Sequence, residues 1–168
     1  RQLILRGLKL TGFETSCTPR LHRLTVLSLS NNSLRDLKDF RHLVSLVELN
    51  INFNAVTSLQ GLMCPGLRKL FISNNLLASA EGLRFFSNLQ TLCLFNNILP
   101  DLGVVLQYLR HLEELQELDL DGNPCARSWG YKHRVVHSCP PGLSQLDGEE
   151  VSQLDRDLSE LFFEEEQN

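Results

Sequence analysis

The sequence predicts an α/β solenoid: a right-handed horseshoe with a parallel sheet on its concave face and 3₁₀ turns and short helices on its convex face. Three observations predict it. A leucine pattern recurs about every 22 residues, an asparagine holds one place in each copy, and apolar residues follow at every third position. Such units are too short to bury an apolar face alone, but stacked copies share one continuous core.

The repeating unit reads L-x-x-L-x-L-x-x-N-x-L, which is the signature of a leucine-rich repeat. Five clear copies begin at Leu24, Leu46, Leu67, Leu89 and Leu115. Their asparagines are Asn32, Asn54, Asn75, Asn97 and Asn123. A degenerate opening copy is predicted at Leu5, Leu8 and Leu10. Phe13 takes the place of the asparagine in that copy.

Each part of the unit has a structural role. Alternate leucines such as Leu27 and Leu29 point to the same side of a short strand, where we expect them to be buried. The asparagine ends the strand, and its amide can satisfy backbone groups of its own turn and of the adjacent repeat. Beyond it, an apolar period of three suits 3₁₀ turns along the convex side. This period is clear at Leu34, Leu37, Phe40 and Leu43.

The connection between Leu99 and Leu115 is longer than the others, and it predicts a true helix. Its apolar residues fall at helical spacing: Val104, Val105, Tyr108, Leu109 and Leu112.

The chain divides into three predicted parts: leucine-rich repeats over 1–124, a C-terminal cap over 125–151 and an acidic amphipathic tail helix over 152–168. An open stack leaves its last apolar face uncovered, so it needs a cap. A helix over 131–137, together with Leu143 and Leu146, is suited to that cover.

The end of the array resembles the C-terminal cap of the intracellular leucine-rich-repeat class typified by the nuclear regulator of type-1 protein phosphatase. That class is similar in repeat length too, and it includes a spliceosomal A-prime protein, an axonemal dynein light chain and ciliary or centrosomal proteins. The matching residues are Asn123, Pro124, Tyr131, Arg134, Val135, Val136, Leu143, Leu146, Asp147 and Gly148. Cys125 and Cys139 stand where the class has aliphatic residues. The resemblance implies an adaptor or scaffold role without naming the partner.

The composition of the chain restricts its possible partners and its cellular compartment. The net charge is −4, and eight acids against one base from Glu149 onward leave the body too weakly basic for a nucleic-acid footprint. Five cysteines without paired spacing indicate reduced thiols in a cytoplasmic protein, with cytoskeletal, ciliary, centrosomal or nuclear settings compatible. We expect no signal peptide and no membrane insertion. A start at Arg1 rather than Met indicates a fragment or a processed product.

The strand positions between the buried leucines predict the binding surface, because they point into the concave face. Phe53, Phe71 and Phe95 fall on or beside this surface in successive repeats and, with Cys93, can form one apolar patch. Charged and polar residues surround it, as in protein-binding hot spots. The predicted protein-binding residues are Glu48, Asn50, Phe53, Lys69, Phe71, Cys93, Phe95, Glu117 and Asp119. The phenylalanines could instead pack on one another or under a terminal segment.

The tail predicts an amphipathic helix, with an apolar stripe at Val151, Leu154, Leu158, Leu161 and Phe162. This helix either extends the cap or docks elsewhere, on another protein or back in a groove.

No catalytic motif is present, so we expect a non-enzymatic, monomeric module that binds another protein through its concave face, without cofactor or small-molecule substrate. Zinc on Cys125, His133, His137 and Cys139 is not favoured, because no C-x-x-C pair accompanies them. Two alternatives remain: a regulatory subunit of an enzyme such as type-1 protein phosphatase, or a ribonucleoprotein component.

Overall fold

One sheet runs through the whole stack, and its strands follow one another in sequence order. The computed structural model describes residues 1–12 and 21–166, and within them the sheet has eight strands. These are β1 (Gln2–Ile4), β2 (Val26–Ser28), β3 (Glu48–Asn50), β4 (Lys69–Phe71), β5 (Thr91–Cys93), β6 (Glu117–Asp119), β7 (Gln145–Leu146) and β8 (Glu149–Glu150). Neighbours from β1 to β7 pair in parallel, and β8 turns back antiparallel to β7. The predicted leucine-rich-repeat fold is confirmed.

The core is a set of leucine rows that run across the strands. The central leucines Leu27, Leu49, Leu70, Leu92, Leu118 and Leu146 occupy one register and are buried. Because each repeat adds one residue to every row, the apolar faces of neighbouring repeats close on each other along the whole stack.

The opening copy is a real repeat, but the predicted alignment of its leucines was wrong by five residues. Strand β1 pairs Leu3 with Leu27 and Ile4 with Ser28, so Leu3 rather than Leu8 is the central leucine. Leu8 takes the asparagine place and is exposed. Its register was obscured because no asparagine marks the end of β1. Phe13 and Cys17 lie outside the described residues.

The repeat asparagines form a hydrogen-bonded ladder of the predicted kind, buried at Asn75, Asn97 and Asn123 and half-buried at Asn32 and Asn54. The Asn75 side-chain amide donates to the Ile72 carbonyl of its own strand and to the Ile51 carbonyl of the repeat before it, at 3.1 and 3.0 Å. Its oxygen accepts the Val56 N–H at 3.0 Å. The same bonds to the preceding repeat are made by Asn32, Asn54, Asn97 and Asn123.

The convex side carries the predicted 3₁₀ turns and one longer helix. Lys38–His42 and Leu83–Phe85 are 3₁₀ turns, and they bury Phe40 and Leu83 respectively. Helix α1 (Leu102–Leu109) fills the long connection, and its first turn is capped by Asp101, whose side chain accepts the Val104 N–H at 3.0 Å. Val104 itself is exposed.

Residues after the fifth repeat cover the end of the stack. A 3₁₀ turn (Pro124–Arg127) leads to helix α2 (Tyr131–Ser138), which buries Val135 and Val136. Leu143 and Leu146 are buried beside β6, as half of a further repeat. Cys125 and Cys139 are buried free thiols, so they serve as the apolar replacements that the sequence indicated.

The tail forms helix α3 (Gln153–Glu166), which packs against α2. The helix therefore extends the cap, the first of the two predicted alternatives. Only part of the predicted apolar stripe faces inward: Val151 is buried and Phe162 packs on His133, whereas Leu154, Leu158 and Leu161 are exposed and Ser159 is buried. Ion pairs and aromatic stacking described below set this rotation. Across the described ranges, no helix is both long enough and apolar enough to cross a bilayer.

Candidate functional site

The concave face consists of parallel rows of side chains, and along each strand these side chains alternate with the buried leucines. One row runs from Glu48 through Lys69 and Thr91 to Glu117, and the next runs from Asn50 through Phe71 and Cys93 to Asp119. Since neighbouring strands lie about 4.8 Å apart, side chains of one row are in mutual reach. Seven of the nine predicted binding residues stand in these two rows, and Phe53 and Phe95 follow β3 and β5.

The middle of the face is apolar. Phe71 and Cys93 are direct neighbours in register, and both are half-buried. Phe95 follows Cys93 by two residues on the same side and is 38% exposed. These three residues of the predicted apolar patch share the concave face and are here called the aromatic centre.

Phe53 stands apart from that centre, in the turn after β3. It lines a depression of about 500 Å³ together with Arg6, Asn50 and Asn52, and 57% of its surface is exposed. Its φ is +55°, in the left-handed region that a bulky side chain seldom adopts. The equivalent turn positions hold Asn31, Asn74, Asn96 and Gly122, all also at positive φ. A strained, exposed phenylalanine at a place suited to asparagine points to a role in binding rather than in stability.

Replacing Phe53 with asparagine is expected to raise the free energy of unfolding by about 1 kcal/mol, because asparagine tolerates the left-handed conformation. Chemical denaturation monitored by circular dichroism measures the change. Phe85→Asn is the matched control, since Phe85 is also exposed but lies in a 3₁₀ turn outside the positive-φ set. An equal gain in both variants, or none in Phe53→Asn, would contradict the strain argument.

The C-terminal side of the face is acidic. Glu117 accepts a hydrogen bond from the Thr91 hydroxyl at 3.3 Å, which orients its carboxylate beside the aromatic centre. Burial raises the pKa of Asp119, and the charges of Asp147 and Asp121 raise it further, against the N–H that Asp121 donates to it. Such crowded carboxylates favour a cationic group from a partner.

Asp121, which the strand pattern also places among the concave acids, extends this acidic strip, and so does Asp147, which was not predicted as a site residue. Asp147 accepts the N–H groups of Leu120 and Asp121, and the Tyr131 hydroxyl donates to it at 2.8 Å. Burial and the Asp147 carboxylate raise the pKa of Tyr131, so the phenol remains a donor. The sequence signal was present in the cap motif, but there it indicated only the fold.

Cys93, Cys125, Cys139, His133 and His137 do not gather as a metal-binding group in the described part of the chain. Burial, then the charges of Asp119 and Glu117, raises the pKa of Cys93 to about 11, which keeps its thiol protonated and poorly nucleophilic at neutral pH. His133 and His137 stack on the tail phenylalanines instead. Within residues 1–12 and 21–166, no three His, Cys, Asp or Glu side chains gather as a metal site.

Sequence comparison agrees with this architecture. A family profile described as "Leucine Rich repeats (2 copies)" matches residues 22–62, the segment that carries the first two clear copies. The chain is a leucine-rich-repeat protein. A chain of the Drosophila melanogaster SNF/U2A′ complex matches with a TM-score of 0.62 and 28% identity, over 97% of this leucine-rich-repeat protein and 81% of that chain.

Curated leucine-rich-repeat relatives are similar over only part of their length. Centrosomal protein of 72 kDa from Mus musculus is 37% identical over 98 residues, which cover 58% of this chain and 15% of the relative. Leucine-rich repeat-containing protein 51 from Bos taurus is 31% identical over 144 residues, which cover 81% of this chain and 64% of the relative. The chain therefore spans less than two thirds of these relatives.

Proposed function

We propose that the chain is a protein-interaction module, an adaptor or scaffold that binds a protein partner through its concave face. The observation that carries this proposal is the aromatic centre, which is half-exposed on a sheet held by a continuous core and a hydrogen-bonded ladder. A rigid surface loses little conformational entropy on binding, so its apolar contacts contribute more fully to affinity.

The charges around the aromatic centre define the partner's chemistry. Glu117, Asp119 and Asp121 form an acidic strip on the C-terminal side, whereas Asn50 and Asn52 lie on the N-terminal side, towards Arg6. The complementary segment carries an apolar anchor for the aromatic centre and a lysine or arginine directed at the acidic strip. Lys69 stands between Glu48 and Thr91 in register and would fix the orientation of that segment.

The test is capture of partners by the wild-type chain and by a Phe71→Ser, Phe95→Ser variant, with quantified binding of each captured protein. Loss of central aromatic anchors typically costs about 2 kcal/mol or more, so affinity for a concave-face partner should fall by at least about 30-fold. Both side chains are partly exposed, and circular dichroism checks that the variant keeps the wild-type spectrum.

Phe85→Ser is the matched control, because it removes an exposed phenylalanine from the convex side. A partner lost by the concave variant and kept by the control supports the proposal. Partners that bind all three proteins equally would place the interaction outside the concave face and refute the site residues.

The proposal also covers the repeat class, the division of the chain and its cellular setting. The resemblance of the cap favours the class typified by the nuclear phosphatase regulator, within which this chain would act without catalysing a reaction. The division into repeats over 1–124, cap over 125–151 and tail over 152–168 follows from that class. Similarity to a centrosomal protein supports a cytoplasmic, cytoskeletal setting at the centrosome or cilium.

A further inference from the structure

Helix α3 has two different faces, and among the described residues only one of them packs against the rest of the protein. Its inner face is held on α2 by ring stacking: Phe162 lies 5.0 Å from the His133 ring, and Phe163 lies 4.0 Å from the His137 ring. The buried Ser159 hydroxyl donates to the Asp155 carbonyl and lies 3.3 Å from His133 Nδ1.

Ion pairs join both ends of α3 to α2 and favour this rotation of the helix. Lys132 Nζ lies 2.8 Å from Asp155 Oδ1 near the start of the helix, and Arg134 pairs with Glu166 at its end. The Lys132 ammonium and the Ser152 hydroxyl hold the pKa of Asp155 well below its usual range, so the first pair persists at neutral pH. The rotation of α3 is therefore determined by its inner face and not by its leucines.

The outer face keeps an apolar stripe in solvent. Leu154, Leu158 and Leu161 follow the i, i+4, i+7 spacing of one helix face and are 64%, 44% and 55% exposed. Trp129 is 70% exposed, and its ring lies 4.7 Å from Phe162, at the margin of the stripe. Together these four residues form an exposed apolar surface, here called the outer stripe. A tryptophan beside a leucine row is typical of interaction hot spots.

The negative charge of α3 favours a basic partner for the outer stripe. Helix α3 contains six acids and one base. Asp157 and Glu160 line the solvent side of the stripe, and Glu165 lies within it on the helix surface. A second copy of this chain would bring two acidic helices together, which like-charge repulsion opposes. A basic amphipathic helix would instead pack its leucines on the stripe and pair its lysines with Asp157, Glu160 and Glu165, here called the acidic rim.

We infer that the outer stripe is a second docking site, built to take a basic amphipathic helix of another protein. It lies on the tail helix and is independent of the concave face. The mode is helix against helix: apolar anchors at i, i+4 and i+7 give affinity, and the acidic rim gives orientation and salt dependence.

Binding to the outer stripe can be followed by the fluorescence of Trp129, since it is the single tryptophan of the chain. The probe is a tryptophan-free amphipathic peptide of about 18 residues, with leucine on one face and lysine on the other. Titration is expected to shift the Trp129 emission to shorter wavelength as the ring is covered. The apparent affinity should fall by about tenfold or more between about 50 mM and about 500 mM salt.

Two variants separate the apolar and the charged contributions. Leu158→Ser with Leu161→Ser leaves the inner face of α3 intact and should weaken the peptide by about tenfold or more. Glu160→Gln with Glu165→Gln should weaken it less and flatten the salt dependence. Ile98→Ser is the matched control, because it removes an exposed aliphatic side chain far from α3 in sequence and should leave peptide affinity unchanged.

Three results would overturn the inference. One is equal affinity for the wild type and the leucine variant. Another is equal affinity for a peptide in which glutamate replaces every lysine, since that would remove the role of the rim. The third is concentration-dependent dimerisation of the wild-type chain that the leucine variant abolishes, because the occupant would then be a second copy. The Phe71→Ser, Phe95→Ser variant should bind the peptide normally, which keeps this test separate from that of the concave face.

Discussion

Replacing Asn75 with leucine is expected to lower the free energy of unfolding by about 4 kcal/mol, although the two side chains are nearly the same size. The leucine would leave the Val56 N–H without its acceptor, and the Ile51 and Ile72 carbonyls would each lose one of their two asparagine donors. A buried N–H left unsatisfied costs about 1–3 kcal/mol, each of the two lost carbonyl bonds adds about 1 kcal/mol, and a leucine leaves no room for a replacing water. Urea denaturation followed by circular dichroism measures the loss.

Asn88→Leu makes the same substitution at an exposed position, where the side chain donates one bond to the Pro65 carbonyl. We expect it to cost less than about 1 kcal/mol, because water can take over that carbonyl. If both asparagine variants lost the same stability, the ladder would not be the source of the effect.

Gly61→Ala is expected to cost about 3 kcal/mol, for a steric reason. Gly61 has a φ of +95°, and a Cβ there would lie 2.7 Å from the Leu37 carbonyl oxygen and 2.8 Å from Lys38 Cα. Left-handed backbone strain contributes about 1–2 kcal/mol for an L-residue, and overlap with the backbone of the preceding repeat adds the rest. Thermal unfolding and urea denaturation should both report the loss.

Variants at two other glycines separate the cost of backbone strain from the cost of steric overlap. Gly148 has a φ of +81° with no atom within 4 Å of its would-be Cβ, so Gly148→Ala carries strain alone. Gly66 has an ordinary φ and its would-be Cβ lies 3.7 Å from the Leu46 oxygen, so Gly66→Ala should change stability by less than about 0.5 kcal/mol. A Gly61→Ala variant no less stable than Gly148→Ala would show that the preceding repeat gives way.

The repeats could be predicted from the sequence because each position is specified many times over. A leucine such as Leu70 recurs at the same place in every copy, and one fold buries all of them. The opening copy lacked the asparagine that marks the register, and leucines at Leu3, Leu5, Leu8 and Leu10 allowed two alignments. Strand pairing with β2 was needed to decide between them.

The tail shows why a helix is easier to predict than the face it buries. The spacing of Leu154, Leu158 and Leu161 correctly indicated a helix, but the burial of a face depends on what the neighbour offers. Helix α2 presents the rings of His133 and His137, which stack on Phe162 and Phe163 better than leucine can. The two stacked pairs join residues 29 and 26 positions apart in the chain, so they leave no local pattern in the sequence.

The sequence pattern places the candidate residues on the concave face, but it did not lead us to expect the strained backbone of Phe53. Alternation along the strands places Phe71, Cys93 and Phe95 on the concave face, as the structure has them. Aligning Phe53 with Asn31, Asn74 and Asn96 would have pointed to its unusual backbone, since asparagine is common at positive φ. The remote Asp147 carboxylate could not be placed, because it reaches the acidic strip only through the cap.

The asparagine ladder gives the stack a direction that matters while the chain is being made. Every ladder asparagine accepts N–H groups from the repeat before it, so a newly synthesised repeat stays incomplete until its successor has left the ribosome. Folding during synthesis must therefore trail translation by one repeat, and the fifth repeat waits for Asp147 of the cap to accept the Leu120 N–H. A ribosome that stalls before residue 147 would hold a nascent chain whose last repeat is still open to chaperones.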